Sequence, residues 1–410
     1  MAAVDDVLSV FLAKDGVVNT PFEVKTPLAE MSLSDTKSLA LKLVDSLVHL
    51  KDDSGEFRVP IPTGGFKVDS KSWNNWEWTQ GVGLYGMWML FETTGDETVL
   101  NHIQQWFDKQ FAKGTPTKNV NSMAPMLTLA YLYERTGRIE YRAYLESWAE
   151  FIMDGIPRTE GKWQSHDERD ISFLKSSAEG GIQHITFRQV NEGQLWDDTL
   201  MMSVLPLAKI GVLLNRPSYI EEAKRQFLLH IKYLTDTRTG LWYHGWTFLE
   251  RHNFAEALWG RGNSWVTIAI PEFLSLLQLP PGDHIREFLV SALDQQVVAL
   301  KKYQNSNGLW HTLIDDSSSY LEVSASAGFA FGILKAARMR YISKEYQSIG
   351  LKALEAVINN VNEKGIVQNV SFGTPMGPSK EFYKAIKLTA MPYGQAMTLL
   401  CIVERMRAFL

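Results

Sequence analysis

The chain has 410 residues, of which 45% are hydrophobic and 21% are charged, a composition typical of a globular protein with a large core. Its formal net charge is −5, and it has no run of Lys and Arg that would neutralise a phosphate backbone, so we expect no nucleic-acid partner. No apolar stretch approaches the roughly 18–20 residues of a membrane-spanning helix, so we expect no membrane partner either. The first residues, Met1–Asp6, lack the basic start of a secretory signal, which favours a cytoplasmic protein.

Hydrophobic periodicity predicts helices through almost the whole chain. We expect twelve, at about residues 34–51, 80–93, 95–111, 121–135, 138–153, from 197 onward, 218–234, 262–277, 284–303, 323–339, 344–361 and 394–409. The even-numbered helices are mostly uncharged and carry small residues, whereas the odd-numbered ones combine an apolar stripe with a charged face. Because a helix that is apolar all round is buried, the alternation predicts six inner helices wrapped by six outer ones.

The connections alternate in length as well. Short turns follow the even-numbered helices, and long loops follow the odd-numbered ones with a repeated Gly-x-aromatic phrase at 161–163, 240–242 and 308–310, degraded at 365–367. Self-similarity at about 60–70 residues indicates a repeat architecture. We therefore predict an all-α protein, a closed (α/α)6 barrel of six helical hairpins. It would form one catalytic domain over residues 1–410, with residues 1–32 as an extension packed on the barrel. An open helical solenoid is the alternative.

Polar and aromatic residues gather just before each inner helix, at the end where all the long loops would meet. The densest stretch is Trp196-Asp197-Asp198, at the start of the sixth helix. A helix needs one capping acid, and here two stand together, so capping alone explains the pair poorly. The other members of this set lie at 73–78, 119–121, 184, 243–246, 259–265, 320–322 and 372–377, with Tyr383, Tyr393 and Gly394. We expect the set to converge on one axial pocket, because loops at one end of a rigid scaffold commonly carry function.

Acids, a cation and exposed rings suit a carbohydrate ligand, since aromatic faces stack on sugars. Arg261, between two glycines, could bind a carboxylate with its planar guanidinium, which indicates an acidic sugar. A buried arginine that bridges inner helices is the other interpretation. His244 could bind a sugar hydroxyl or orient a water molecule. We expect no metal and no other cofactor, because no metal-ligand motif is present and the one GxGxxG match, at 81–86, lies inside a helix.

At these motifs the chain resembles the unsaturated rhamnogalacturonyl hydrolases of glycoside hydrolase family 105 and, more distantly, the unsaturated glucuronyl hydrolases of family 88. The most specific matches are 183–185 leading to 196–201, and 259–265, with 320–327 and 373–375 in support. The resemblance extends from about Trp73 to the C-terminus. It implies that Asp198 is the general acid and base. It also implies substrate contacts by His244, Arg261, Trp265, Trp196 and Trp259. The predicted pocket adds Asn121, His184 and Trp78 as substrate contacts. Asn121 stands where many relatives have a second active-site Asp.

The resemblance further implies an acidic oligosaccharide substrate with a 4,5-unsaturated uronic acid, galacturonyl or glucuronyl, at its non-reducing end. Asp198 would protonate C4 of this vinyl ether and then accept a proton from the water that adds at C5, after which the hemiketal opens and releases the neighbouring sugar. Asp198 must then be protonated at the working pH. A helix N-terminus lowers the pKa of a carboxyl group, whereas burial beside Trp196 and the charge of Asp197 raise it. We expect the raising effects to prevail and activity to be greatest somewhat below neutrality.

Two other functions stay open at this point. An inverting glycosidase on the same barrel would use Asp198 and Glu322, with carboxyl groups about 6.5–9.5 Å apart. A non-enzymatic helical toroid would bind a sugar or a peptide in a shallow groove. A deep pocket with Asp198 at its floor would favour catalysis over binding. We expect a monomer or a homodimer.

Overall fold

The computed structural model describes residues 8–21, 24–25, 27–60, 67–159 and 180–408. Within these ranges twelve long helices form two concentric rings, which confirms the predicted (α/α)6 barrel. The helices are α1 (Leu33–His49), α2 (Trp78–Thr94), α3 (Glu97–Lys113), α4 (Pro125–Thr136), α5 (Ile139–Glu150), α6 (Leu205–Leu213), α7 (Pro217–Leu234), α8 (Gly260–Leu277), α9 (His284–Tyr303), α10 (Val323–Arg338), α11 (Gln347–Asn359) and α12 (Pro392–Arg407). Their bounds lie within a few residues of the predicted ones, except at the start of α6.

The start of the sixth helix is irregular. A π-helical turn, Leu200–Val204, precedes α6 and ends just before Pro206, which has no N–H to continue the hydrogen-bond ladder. Such turns are frequent at functional sites because they change the direction of the side chains around them.

The inner ring consists of α2, α4, α6, α8, α10 and α12, each in contact with the next, and α12 returns to α2 to close it. These helices are buried on all sides: every residue from Thr79 to Phe91 and from Val323 to Ala337 is buried. Small residues permit this close packing. A Cβ on Gly332 of α10 would lie 2.2 Å from the backbone oxygen of Thr267 in α8.

The outer ring consists of the odd-numbered helices, which are amphipathic as predicted. In α7, for example, the buried residues Ala223, Gln226, Phe227, His230 and Leu234 follow helical spacing and form one face. The first helix, α1, packs mainly against the last, α12. None of the helices in the described ranges is both long and apolar enough to cross a lipid bilayer.

All the long loops lie at one end and lead into inner helices. In the described part of the chain they carry four two-stranded antiparallel sheets: β1 (Arg58–Pro60) with β2 (Lys67–Asp69), β3 (Arg158–Thr159) with β4 (Gly181–Ile182), β5 (Gln194–Trp196) with β6 (Gly245–Thr247), and β7 (Trp310–His311) with β8 (Leu321–Glu322). A short helix that the sequence did not predict, Lys380–Lys384, lies in the last loop.

The repeated Gly-x-aromatic phrase has a structural role at two of its copies. Gly240 and Gly308 adopt φ values of 81° and 98°, which favour glycine, and Trp242 and Trp310 are fully buried. The phrase therefore turns the chain and anchors each loop with an aromatic ring in the core. The copy at 161–163 lies outside the described residues.

The segment 8–21 crosses the loop end of the barrel. Ala13 donates a backbone hydrogen bond to the oxygen of Ala385 (2.7 Å), and Lys387 donates one to the oxygen of Phe11 (2.9 Å). Asn19 exchanges two hydrogen bonds with the backbone of Leu321. The assignment of residues 1–410 to a single domain with 1–32 as its extension stays a prediction.

A buried ion pair offers a stability prediction. The Nζ atom of Lys335 lies 2.6 Å from a carboxylate oxygen of Glu272, both side chains are 5% exposed, and the hydroxyl of Tyr85 donates to the same carboxylate (2.7 Å). We expect Glu272→Gln to lower the free energy of unfolding by about 3–5 kcal/mol, because it leaves the Lys335 charge buried without a partner. Denaturant unfolding measures the change.

The matched control for this pair is Asp53→Asn, which breaks an exposed ion pair with Lys51 and should leave the stability nearly unchanged. Equal stability losses in the two variants would contradict the assignment of a stabilising role to Glu272.

Candidate active site

A cavity opens at the loop end of the barrel, with about 710 Å³ of space including its mouth. Loops and the first residues of inner helices surround it, as the sequence predicted. The lining residues are Leu8, Phe11, Trp78, Asn121, His184, Thr186, Arg188, Gln189, Trp196, Asp198, Trp259, Arg261, Gly373, Thr374 and Pro375. Seven of the nine predicted site residues are among them: Trp78, Asn121, His184, Trp196, Asp198, Trp259 and Arg261.

Strand pairing places His244 beside Asp198. Trp196 of β5 pairs with Gly245 of β6, and Asp197 donates a backbone hydrogen bond to the oxygen of His244 (3.1 Å). The Nε2 atom of His244 then lies 3.4 Å from Oδ2 of Asp198, while its Nδ1 atom lies 2.7 Å from the hydroxyl of Tyr383. The Asp198 side chain is 17% exposed and that of His244 only 1%, so the acid faces the cavity and the imidazole supports it from behind.

The two neighbouring acids have opposite pKa shifts. Asp197 is fully buried, neither of its carboxyl oxygens has a hydrogen-bond partner among the described residues, and this burial raises its pKa well above the usual value. Burial is the largest effect on Asp198 as well and also raises its pKa. However, the hydrogen bond and charge of His244, with the charge of His184, outweigh burial and hold that pKa at about 2.

The expectation that Asp198 itself has a raised pKa is therefore wrong for the free protein. The sequence could not show that the loop before α8 brings His244 against this carboxyl group. Burial therefore favours the protonated form of Asp197, whereas His244 favours the ionised form of Asp198.

His184 and Trp196 form a flat wall beside Asp198. Their rings stack with centroids 4.3 Å apart and an interplanar angle of 6°. Nδ1 of His184 lies 2.9 Å from the hydroxyl of Thr199, and burial lowers the His184 pKa to about 4, so the ring is neutral near pH 7. A neutral, stacked surface of this kind suits the face of a sugar ring.

Arg261 is buried yet lines the cavity. Its guanidinium lies between the rings of Trp259 and Tyr393, at 4.8 and 4.7 Å from their centroids. Nη1 donates to the backbone oxygen and the hydroxyl of Ser371, and Nη2 donates to Oγ1 of Thr374. Its Nε–H has no acceptor among the described residues. The side chain thus bridges two parts of the barrel, and within the described ranges its buried Nε–H is left unpaired.

Comparison with known proteins shows which family this chain belongs to. The model of Glycosyl Hydrolase Family 88 matches residues 61–409. The chain belongs to glycosyl hydrolase family 88. It is a glycoside hydrolase, and the resemblance drawn from the sequence motifs is confirmed.

Three relatives of this family 88 hydrolase illustrate the similarity. The unsaturated rhamnogalacturonyl hydrolase YesR of Bacillus subtilis (strain 168) is 32% identical over 332 residues, which are 80% of this chain and 89% of that protein. A crystal structure of a possible member of family GH105 from Salmonella enterica serovar Paratyphi A is 48% identical, with a TM-score of 0.88 over 96% of this chain and 100% of that one. An unsaturated glucuronyl hydrolase from Bacillus sp. GL1 is 16% identical with a TM-score of 0.65, covering 92% and 97% of the two chains, and shares the fold.

Glu322, the second acid of the inverting alternative, has a different role in this hydrolase. It is fully buried and does not line the cavity. Its carboxylate accepts hydrogen bonds from the backbone N–H groups of Ser324, Ala325 and Ser371, so it caps α10. A carboxylate committed to these donors is poorly placed to act on a substrate.

The two remaining predicted contacts lie behind the cavity wall. His244 supports Asp198, and the fully buried Trp265 packs edge-on against Trp78 (5.8 Å), which stacks in turn on Tyr393 (4.7 Å). Direct substrate contact by either residue stays a prediction.

The ligand atoms of Asp197, Asp198 and His244 lie within 4.8 Å of one another, close enough to share a cation, so the absence of a metal stays a prediction too. Gly262 packs so tightly against this group that a Cβ there would lie 2.2 Å from an Asp197 oxygen.

Eight of the lining residues lie outside the nine predicted ones; among these, Arg188 adds a charge to the wall and Phe11 adds an aromatic ring. Arg188 lies in the loop 183–194, a stretch already notable for its polar side chains, and its charge was the available signal. Phe11 comes from the segment 8–21, and nothing in its local sequence indicates that it reaches a cavity formed about 180 residues later.

Proposed function

We propose that this family 88 hydrolase removes a 4,5-unsaturated uronic acid, galacturonyl or glucuronyl, from the non-reducing end of oligosaccharides produced by polysaccharide lyases. The observation that carries the proposal is that Asp198 is the one carboxylate among the described residues lining a cavity that also contains Arg261. Hydration of a vinyl ether needs one acid, whereas an inverting hydrolysis needs two. The activity of the relative YesR, an unsaturated rhamnogalacturonyl hydrolase, supports the same substrate class.

In the proposed mechanism Arg261 binds the carboxylate of the unsaturated sugar, and the aromatic walls hold its ring. A bound carboxylate excludes water and adds negative charge, and both effects raise the pKa of Asp198. The proton of the Asp197–Asp198 pair then moves to Asp198. Asp198 transfers it to C4, water adds to the cation formed at C5, and Asp198 takes up the proton that this water loses. The hemiketal opens and releases the neighbouring sugar, so the pair carries one proton before and after the reaction.

Asn121 and His244 complete this mechanism. The Asn121 side chain lines the cavity and can bind a hydroxyl without adding a second negative charge next to Asp198. His244, held by Tyr383, fixes the orientation of the Asp198 carboxyl group.

The test uses unsaturated oligosaccharides and the ultraviolet absorbance of their C4=C5 bond. Hydration should abolish this absorbance at the rate at which the neighbouring sugar is released, and saturated analogues should stay intact. Sugar release with retained absorbance would instead indicate direct hydrolysis. A panel that differs in the terminal uronic acid would distinguish galacturonyl from glucuronyl preference.

Asp197→Asn should change the pH dependence of the reaction. Asn cannot hold the shared proton, so Asp198, whose pKa is about 2, must take it from solvent. A carboxyl group with so low a pKa is protonated only at acid pH. We expect kcat/KM near neutrality to fall by about 10- to 100-fold and the pH of greatest activity to move to lower values. A pH–rate profile measures both.

The control for this variant is Asp316→Asn, which removes a carboxylate whose pKa is also lowered to about 2 but which lies outside the cavity. Its profile should match that of the wild type. A loss in Asp197→Asn that is equal at every pH would show that Asp197 acts through packing alone.

We further propose that the enzyme works in the cytoplasm as a monomer or homodimer, without a metal or other cofactor. Unchanged activity after treatment with a chelator is the expected result.

A further inference from the structure

Arg188 is a second cation in the wall of the cavity. Its guanidinium lies 5.2 Å from the ring centroid of Phe11 and 5.1 Å from that of Phe187. Its backbone N–H donates to Oγ1 of Thr186, but in the described ranges no carboxylate lies within ion-pair distance of the guanidinium and no acceptor lies within hydrogen-bond distance of it. Burial lowers its pKa to about 10, which leaves it charged near neutrality.

Arg188 and Arg261 have different neighbours in the cavity. Arg188 lies against Phe11 and Phe187, whereas Arg261 lies against Trp259, whose ring centroid is 4.2 Å from that of His244. The acid whose charge acts on Arg188 is Glu77, the N-cap of α2, and burial raises the pKa of Glu77 to about 7, so it balances Arg188 only in part. Asp198 is affected instead by His244 and His184, and Arg261 acts on His244. The carboxylate of the terminal sugar is attached to C5, next to the carbon that Asp198 protonates. Arg261 is therefore the cation suited to the carboxylate of the terminal sugar, and Arg188 has no anionic group of that sugar to bind.

We infer that Arg188 binds an anionic group, a carboxylate or a sulfate ester, on a part of the oligosaccharide beyond its terminal uronic acid. The inference rests on the proposed function and extends it to the rest of the substrate. Two aromatic rings lie against the guanidinium of this half-buried side chain, and their contact holds the cation in place without neutralising its charge. One of these rings, Phe11, belongs to the segment 8–21, which precedes the residues that match the family 88 model.

The experiment compares three substrates with the same unsaturated terminal sugar. One has a neutral remainder, one carries a carboxylate on its remainder, and one carries a sulfate ester. Arg188→Met should raise KM for one or both anionic substrates by about tenfold or more, with kcat unchanged and the neutral substrate unaffected. Arg188→Lys should retain part of the preference for anionic substrates, because it keeps the positive charge without the planar guanidinium. The two anionic substrates tell which group the subsite prefers.

Phe11→Leu and Arg340→Met complete the design. Phe11→Leu keeps the Arg188 charge but removes its aromatic support, so a smaller rise in KM on the same substrates is expected. Arg340→Met removes an exposed positive charge just after α10, at the opposite end of the barrel, and should change nothing. Added salt should weaken the wild-type preference and leave Arg188→Met unaffected.

Equal losses of Arg188→Met on neutral and anionic substrates would overturn the inference and assign Arg188 to holding the segment 8–21. A wild-type enzyme without preference for any anionic substrate would overturn it as well. If Arg188→Met does not fold, Arg188→Lys and Phe11→Leu decide the question. Failure of the wild type to remove the absorbance of any of the three substrates would refute the proposed function itself.

Discussion

Asp198→Asn is expected to lower kcat by about 10²- to 10⁴-fold, the range for loss of a general acid and base. Asn has nearly the size and shape of Asp, so the start of the sixth helix and the contact with His244 should be retained. It cannot, however, transfer a proton to C4 or accept one from water. The rate of absorbance loss on an unsaturated oligosaccharide measures the effect, with circular dichroism and the unfolding midpoint as checks on the fold.

The same variant should still bind its substrate, because the groups proposed to hold the sugar are unchanged. Binding measured by calorimetry should stay within a few-fold of the wild-type KM. Substantial turnover by a folded Asp198→Asn enzyme would remove Asp198 from its proposed role. Loss of both turnover and binding would point to a disrupted cavity.

Arg261→Ala is expected to weaken binding of the acidic sugar by about 2–5 kcal/mol, the cost of removing one partner of a buried charge pair. This corresponds to a rise in KM of at least about 30-fold. Arg261 also donates to Ser371 and Thr374, so part of the loss could come from movement of their loop. Arg261→Lys separates the loss of charge from the loss of these hydrogen bonds, because it keeps the positive charge but lacks the planar guanidinium with its paired N–H donors.

For Arg261 the decisive comparison is between an unsaturated uronic acid and its neutral analogue with the carboxylate reduced to an alcohol. The wild type should discriminate strongly between them, and Arg261→Ala should not. An unchanged KM for the acidic substrate would leave Arg261 as a bridge between inner helix and loop, the other interpretation of its sequence context.

The barrel could be predicted from the sequence because inner and outer helices differ in composition. Burial on all sides requires the uncharged, small-residue pattern of α2 and α10, and exposure on one side requires the amphipathic pattern of α7. Both patterns are local and can be recognised in the amino-acid sequence. The short helix Lys380–Lys384 is too brief for periodicity to reveal.

Most of the cavity could be predicted as well, because its residues precede inner helices that the repeat brings to one end. What the sequence could not provide was the contacts between loops. The pairing of β5 with β6 places His244 against Asp198 and reverses the expected pKa shift. The path of the segment 8–21 brings Phe11 to Arg188. Both depend on long-range packing that no local pattern encodes.

The closure of the inner ring by α12 against α2 has a consequence for how this molecule is made. The ring joins residues near the start of the chain to residues near 400, and α1 also packs on α12. Such distant contacts are slow to form, and during synthesis they must wait until the last helix has left the ribosome. Until then the apolar sides of α2 and α10 have no cover, so the nascent protein depends on protection from aggregation. A chain that stops before Pro392 should accumulate as insoluble material rather than as a smaller enzyme.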